Sequence, residues 1–319
     1  MKTVVCMAVL LAASNAHAQE AKDFPNRPIR IMGGGVGSTA DYLSRYIGQK
    51  LNEKWAQPVV VDSRSGAGGT LAADVVAKAA PDGYNMVMGH AGPMVSAVAL
   101  YKDLPYDPVK DFAPVSRMTT GVVVLVTHPS IPVANTKELI AFIKQKGGLS
   151  YASAGNGTMS HLAGELFNRI AGVNVLHVPY KSAGLALTAL LSSETQISFL
   201  SPVTAHTQLK AGRVKALAVS SKTRFAGTPD IPSAVEAGIP GMDARLWFGL
   251  FTTARTPRAV VMKLNQEITD VLNRPDVKQH LLTQGAEAAP STPDELGDFV
   301  KSELQRWLPI IKAAGIKAG

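Results

Sequence analysis

Cysteine is almost missing from this chain. Cys6 is the only one in 319 residues, and it falls within the first few positions. Beyond it no disulfide, cysteine metal site or cysteine nucleophile can form, which suits an oxidising compartment. Long apolar runs are missing too. The longest, Val4 to Ala13, falls far short of the roughly 20 residues that span a bilayer. Aromatic residues make up 6% of the chain, and no run of Lys or Arg is interleaved with them. The 32 basic against 24 acidic residues, a formal charge of +8, are therefore scattered singly and do not form the footprint of a nucleic-acid binder. Dispersed positive charge suits attraction of small anions. Three catalytic signatures are absent as well: the H-E-x-x-H zinc helix, the G-x-S-x-G elbow and the Gly-Lys-Ser/Thr ending of a P-loop. No cofactor or metal is expected.

The first residues, MKTVVCMAVLLAASNAHA, read as an export signal. Lys2 supplies a positive start, Val4 to Ala13 the apolar centre, and Ala16-His17-Ala18 a small-x-small cleavage site. The expectation is a secreted protein, cleaved after Ala18, with Cys6 leaving in the leader.

A chain of this length most often divides into two domains. One pattern recurs along it: a short apolar strand, a glycine-rich turn, then a helix. Ile29 to Met32 leads into GGGVGS and a helix from Thr39 to Lys54. Pro58 to Asp62 leads into SRSGAGG and a helix from Thr70 to Ala79, and Asn85 to Met88 reads as a third strand. Such alternation predicts a parallel, doubly wound sheet. Gly121 to Thr127, GVVVLVT, has the β-branched continuity of a strand buried on both faces. A second block follows with its own strands at Leu149 to Ala152, Asn174 to Val178, Gln196 to Leu200 and Val214 to Ser220. Its helices are predicted from Asn135, with Glu138 three residues on, at Ser160 to Ala171 and at Lys181 to Leu191. Phe225 to Gly241 is rich in Pro and Gly. The tail offers one strand, Leu246 to Thr252, and helices at Pro257 to Leu272 and Pro293 to Ala314. One strand cannot build a core, so the tail is expected to return to the first block. That gives a first lobe of 19–124 and 225–319, a second of 125–224, and crossings near Val122 to Val126 and Ser220 to Phe225.

In a doubly wound sheet the loops leaving the carboxyl ends of strands meet at a crevice, and each following helix offers free N–H groups there. Those amides and the helix dipole hold anions without a charged side chain. Ser153-Ala154-Gly155-Asn156-Gly157-Thr158 fits that description, since glycine lets backbone approach closely and Ser, Asn and Thr add polar partners. A tight turn needing glycine only for its dihedrals explains the same letters. Gly35-Val36-Gly37-Ser38-Thr39-Ala40 also matches the G-x-G-x-x-A dinucleotide fingerprint, with Asp62 placed to hold a ribose; an NAD-dependent oxidoreductase is thus an alternative, opposed by the export signal. His161 and Glu165 stand at i and i+4, open to metal, acid–base or packing roles. His90, in MGHAG after a strand, and Tyr180-Lys181 point to the predicted crevice. Trp247-Phe248 reads as core or hinge packing.

The motifs KAAPDGY, LPYDPVKDFAPV, LSYASAGNGTMSHLAGELF, VPYKSAG, KAGRVKALAVSS and WFGL, with the terminal KAAGIKAG, resemble the periplasmic receptors of tripartite tricarboxylate transporters, also called Bug receptors. The resemblance runs over essentially the whole chain after the leader. It implies an α/β type II periplasmic-binding fold, two doubly wound lobes joined by two crossing strands, with no enzymatic activity. It implies a periplasmic location, a small organic carboxylate as ligand and a two-component membrane permease as partner, with a sensor kinase ectodomain as the alternative partner. Such receptors hold a carboxylate with main-chain amides and hydroxyls of two facing loops. Carried onto this chain, these are Gly37, Ser38, Thr39 and Asp41 in one lobe and Ser153, Ala154, Gly155, Asn156, Gly157 and Thr158 in the other. Gly66, Ala67, His90, Tyr180, Ser201 and Pro202 would surround the rest. Two departures stand out. The first loop, GGGVGSTAD, is shorter than the family's usual VPFPAGGGTD, and Phe199-Leu200-Ser201-Pro202 lacks the acid that would meet an ammonium group. An acid without an ammonium group is the ligand expected.

Overall fold

The computed structural model describes residues 23–316 and contains two sheets; the expected leader and Cys6 lie outside the described residues. The first sheet holds β1 (Ile29–Gly33), β2 (Val59–Ser63), β3 (Asn85–Gly89), β4 (Phe112–Val122), β10 (Arg245–Thr253) and β11 (Glu287–Ala288), in the order β11-β4-β10-β3-β1-β2. The second holds β5 (Val124–Thr127), β6 (Ser150–Ser153), β7 (Leu176–Pro179), β8 (Ile197–Leu200) and β9 (Lys215–Val219), in the order β7-β6-β8-β5-β9.

The two sheets repeat one plan. In each, three parallel strands (β2-β1-β3; β7-β6-β8) are followed by one antiparallel strand, β10 or β5, and then by β4 or β9, with the short β11 added at the edge of the first sheet. In each, that antiparallel strand is the first one the chain lays down after coming across from the other lobe. This is the type II periplasmic-binding architecture. The tail supplies two strands where one is expected: β10 finds its core by inserting between β3 and β4, and the two-residue β11 pairs with the outer side of β4.

The crossing itself is a change of partner inside one apolar run. Val122 ends β4 opposite Arg245 of β10, whereas Val124 begins β5 opposite Leu200 and Val219. Val123, between them, is tied to the return path: its N–H donates to Ser220 Oγ at 3.0 Å, its carbonyl accepts from the Ser220 N–H, and Ser220 Oγ donates to the Ala244 carbonyl at 2.6 Å. Residues 221–244 straddle the lobes. Ser233 bridges Val219, and the N–H of Ala234 donates to the Ser221 carbonyl, while Gly227 lies against the backbone of Leu282 and Gly285.

The helices that matter for the site follow strands directly: α1 (Thr39–Asn52), α2 (Thr70–Ala77), α3 (Ala97–Leu100), α4 (Thr136–Lys146), α5 (Met159–Ala171), α6 (Ala183–Leu191) and α7 (Pro202–Lys210). Helix α1 buries Leu43, Ile47 and Leu51, spaced for one face, and Ser38 caps it by accepting from the Asp41 N–H. Helix α4 starts as its letters predict: Asn135 Oδ1 accepts from the Glu138 N–H at 2.9 Å, and Glu138 reaches back to the Ala134 N–H. The tail adds α8 (Arg258–Asn273), α9 (Pro275–Thr283) and α10 (Pro293–Ala313), the last opened by a capping box of Thr292 and Glu295. No helix among the described residues is long and apolar enough to cross a membrane.

Helix α10 is fastened to β10 by one carboxylate. Glu303 Oε2 accepts from the indole N–H of Trp247 at 3.1 Å and of Trp307 at 3.2 Å, both rings fully buried. Burial pushes its carboxyl above the usual range despite these donors and nearby Arg306. A buried donor left without an acceptor costs about 1–3 kcal/mol. Replacing Glu303 by Leu is therefore expected to cost about 3 kcal/mol in urea unfolding, and Glu303→Gln, which keeps an oxygen acceptor, less than half of that. Equal stability of E303L and the parent would show that the indoles do not depend on this group.

Candidate functional site

The strand ends determine what meets in the gap between the sheets. Gly34, Arg64, His90, Ala154 and Ser201 each follow directly on the last residue of a strand, β1, β2, β3, β6 and β8 respectively, and all five line one cavity of about 770 Å³, counted to its open mouth. Trp247 and Phe248 of β10 and Val123 close its hinge side.

Helix starts supply its polar surface. Thr39 and Ala40 of α1, Met159 and Ser160 of α5 and Ala183 of α6 line the cavity, and these are the first positions of their helices, where N–H groups have no intrahelical acceptor. The caps take the third amide and leave those two free: Ser38 accepts from Asp41 N–H and Ser182 from Leu185 N–H. On α5, Thr158 makes no side-chain cap at all, so its opening turn is uncommitted. Three helix dipoles thus end, positive end first, on one space.

The charges agree. Arg64, Lys181 and Arg245 line the cavity, and no aspartate or glutamate among the described residues does. Arg64 is held by Asp62 at 3.2 Å and Arg245 by Asp243 at 3.2 Å. His90 contributes a neutral donor. Its Nδ1 accepts from the Gly92 N–H at 3.1 Å, which leaves the ring proton on Nε2, and burial lowers its pKa to about 4. Its ring leans on Phe248, 5.8 Å between centroids.

Of the ligand residues that the resemblance implies, Ser38, Thr39, Gly66, His90, Ala154, Thr158 and Ser201 line this cavity. The others stand behind or beside it. Asp41 is 5% exposed, its carboxylate accepting from Arg45 and Ser63. Ser153 Oγ lies 2.6 Å from His177 Nε2. The Tyr180 hydroxyl donates to Glu194 at 2.7 Å. Pro202 opens α7 and packs against Gly285 of the other lobe. Gly37 comes against Gly184, and Gly155, Asn156 and Gly157 meet the first lobe at Gly68, Ser96 and Leu100. Ala67 has a left-handed backbone (φ 46°) in the turn just before Gly68.

Most amides of the 153–158 loop are already spoken for. Ala154 N–H donates to Ser160 Oγ, Gly155 N–H to Ser153 Oγ, Gly157 N–H to His161 Nδ1 and Thr158 N–H to the Gly155 carbonyl. His161 stacks on His177 with centroids 3.8 Å apart, and Glu165 accepts from Tyr151. His161 and Glu165 therefore support the loop from beneath; among the described residues no group of three His, Cys, Asp or Glu is placed to hold a metal. Burial lowers the His161 pKa to about 3, with His177 adding to it, and burial lowers that of His177 to about 4. Arg64 and Arg245 escaped the sequence reading. Arg64 had a signal, its place one residue past a predicted strand; Arg245 had none before β10 was known to begin at the cavity.

Two α/β lobes, chain crossings at a shared hinge and a polar cavity between them define a periplasmic solute-binding receptor. Residues 43–316 match the model of the tripartite tricarboxylate transporter family receptor, and the chain belongs to that family. It is 30% identical over 320 residues to Protein BugT of Bordetella pertussis, covering 99% of this chain and 98% of that one. It is 36% identical over 308 residues to a UPF0065 protein of Pseudomonas sp. strain P51, covering 96% and 91%. Among solved structures, the Rhodopseudomonas palustris protein Rpa4515 with adipate superposes with a TM-score of 0.90 at 31% identity, over 92% of this chain and 99% of that one. MatC of the same organism, with bound malate, gives 0.84 at 34% identity, over 90% and 100%. BugD, a periplasmic binding protein, gives 0.88 at 31% identity over 92% and 100%. The family and these neighbours are solute receptors, not enzymes, which sets aside the oxidoreductase alternative. The physical reason lies in the fingerprint loop: the face of Gly35 is closed in by Ser65 of its own lobe and by Ser182 of the opposite one, and Asp62 is occupied by Arg64.

Proposed function

We propose that this receptor binds a small organic carboxylate without an ammonium group in the cavity between its lobes and delivers it, in the periplasm after removal of the leader at Ala18, to a two-component permease of the tripartite tricarboxylate type. The observation that carries the reading is the convergence of three helix starts whose first amides are free with Arg64, Lys181 and Arg245 on a space that no acidic side chain among the described residues lines. One carboxylate is held by the free amides of Met159 and Ser160 and a hydroxyl such as Ser201, whose oxygen accepts from the Val203 N–H and keeps its proton to donate; the facing amides of Thr39 and Ala40, with His90 Nε2–H, take the other end of the ligand. The cations at the mouth set the sign of what enters. Adipate in one relative and malate in another are dicarboxylates that such a space suits. The lobes, 19–124 with 225–319 and 125–224, close over it about Val123, Ser220 and Ala244.

A ligand that binds only the folded state raises apparent stability by about 2.7 kcal/mol at 100 times its Kd. Thermal unfolding in the presence of adipate, malate and further four- to six-carbon carboxylates is expected to show a rise of several degrees for a few of them, and none for nucleotides. A response to NAD with none to any carboxylate would sink the reading.

A further inference from the structure

The lips of the two lobes touch, and they touch through glycine. Ser182 Oγ of the second lobe lies 3.5 Å from the Val36 carbonyl of the first, and Thr39 Oγ1 lies 3.2 Å from Thr204 Oγ1. Beside them, a Cβ on Gly184 would stand 2.9 Å from the Val36 carbonyl oxygen and 3.3 Å from Gly37 Cα. On the far side of the cavity, a Cβ on Gly68 would stand 2.5 Å from the Asn156 carbonyl oxygen, and one on Gly157 would stand 2.5 Å from Leu100 Cδ1 and 3.1 Å from Ser96 Cβ. The atoms in the way at Gly184 are backbone and cannot swing aside as a side chain does.

Gly184 differs from the other seam glycines; Gly35, whose φ is not positive, is crowded first by Ser65 of its own lobe. Gly37, Gly68, Gly155 and Gly157 all have positive φ, a reason of their own to be glycine. Gly184 has an ordinary φ at the second position of α6, where alanine would suit the helix better by about 1 kcal/mol. Local structure therefore gives no ground for glycine at 184; the only neighbours that require it belong to the opposite lobe.

We propose that Gly184 sets how far and how often this receptor closes: it is a residue that governs ligand affinity by admitting the seam, without contacting the ligand. The proposal rests on the reading of the cavity as a closing receptor site, and its test needs no ligand, so that failure to find a carboxylate leaves it standing and its own failure leaves the carboxylate reading intact.

The test traps the seam. Expressed from Gln19 onward the chain has no native thiol, and Thr39→Cys with Thr204→Cys places a thiol on each lobe at a contact that exists only when the lips meet. The rate of disulfide formation in the ligand-free protein under a fixed redox buffer then reports the closed population. Adding Gly184→Ala is expected to slow it about tenfold and Gly184→Leu to abolish it, because the rate follows the population of the closed state. Leu185→Ala, one residue on and exposed, is expected to leave it unchanged, and circular dichroism is expected to show the helical content of all variants intact. Equal coupling with and without Gly184→Ala would overturn the proposal. So would slowing by Leu185→Ala, loss of fold in G184A, or a parent pair that never couples, since the seam would then not be a conformation of the protein in solution.

Discussion

Lowering the pH from 7 to 5 is expected to remove several kcal/mol of folding stability from this protein. His90, His161 and His177 sit at about 4, 3 and 4 in the folded chain, all held down first by burial, against about 6.5 in the unfolded chain. A base whose folded pKa is depressed is neutral when folded and takes its proton on unfolding. Its stability is fully present above pH 6.5 and drains away as pH falls toward the folded value. At pH 5 each contributes a loss of about 2 kcal/mol. Glu303, whose pKa is raised, works the other way and offsets part of it. The physical source is burial of all three rings, and for His161 the stacked His177, 3.8 Å away between centroids, adds to it. Urea unfolding at pH 7, 6 and 5 checks this, and His177→Phe, which keeps a stacked ring but not the charge, is expected to reduce the pH 7 to 5 loss by about 2 kcal/mol. A parent protein equally stable at pH 7 and 5 would contradict it.

Gly157→Val is expected to weaken carboxylate binding at least about 100-fold, near 2.7 kcal/mol. Two effects combine. The left-handed backbone at Gly157 (φ 76°) strains any β-branched residue, which costs some stability in both open and closed forms. The added side chain also drives into Ser96 and Leu100 of the facing lobe, which penalises only the closed form. The second effect carries the loss of affinity, because a ligand shifts an equilibrium only by what it gains in the state it prefers. Isothermal titration with whichever acid stabilises the parent, alongside a melting temperature lowered by only a few degrees, is the measurement. Undiminished affinity would show that the 153–158 loop does not meet the opposite lobe on binding.

That second prediction shows where the letters stopped being sufficient. SAGNGT announced a bare loop ahead of a helix, and the loop and helix α5 are there. The sequence pointed to the loop's own amides as the anion donors. Four of them instead bond to Ser160, Ser153, His161 and the Gly155 carbonyl, while the free donors belong to the next turn, Met159 and Ser160. A hydrogen-bond partner six residues away across a turn leaves no periodic trace. GVVVLVT likewise reads as one buried strand, since both halves are β-branched and apolar, yet its first residues belong to one sheet and its last to the other. Strand β4 was missed over Phe112 to Thr120, where Pro114 and alternating polar residues hide a central strand whose neighbours are β10 and β11. Helix α9 has no counterpart among the expected helices, although Pro275 at its first position is a residue that starts helices.

What this chain's sequence determined by itself was local: apolar strands of four to seven residues, a cap at Asn135, glycine-rich turns, and a scatter of positive charge. Those follow from propensity, periodicity and composition, which act over a few residues. Tertiary structure alone decided which strand ends face one another, which amides stay free, that Arg64 and Arg245 share a space, and that Gly184 answers to the opposite lobe. The reason is that these are contacts between segments up to two hundred residues apart, fixed by the pairing of two sheets and the hinge between them.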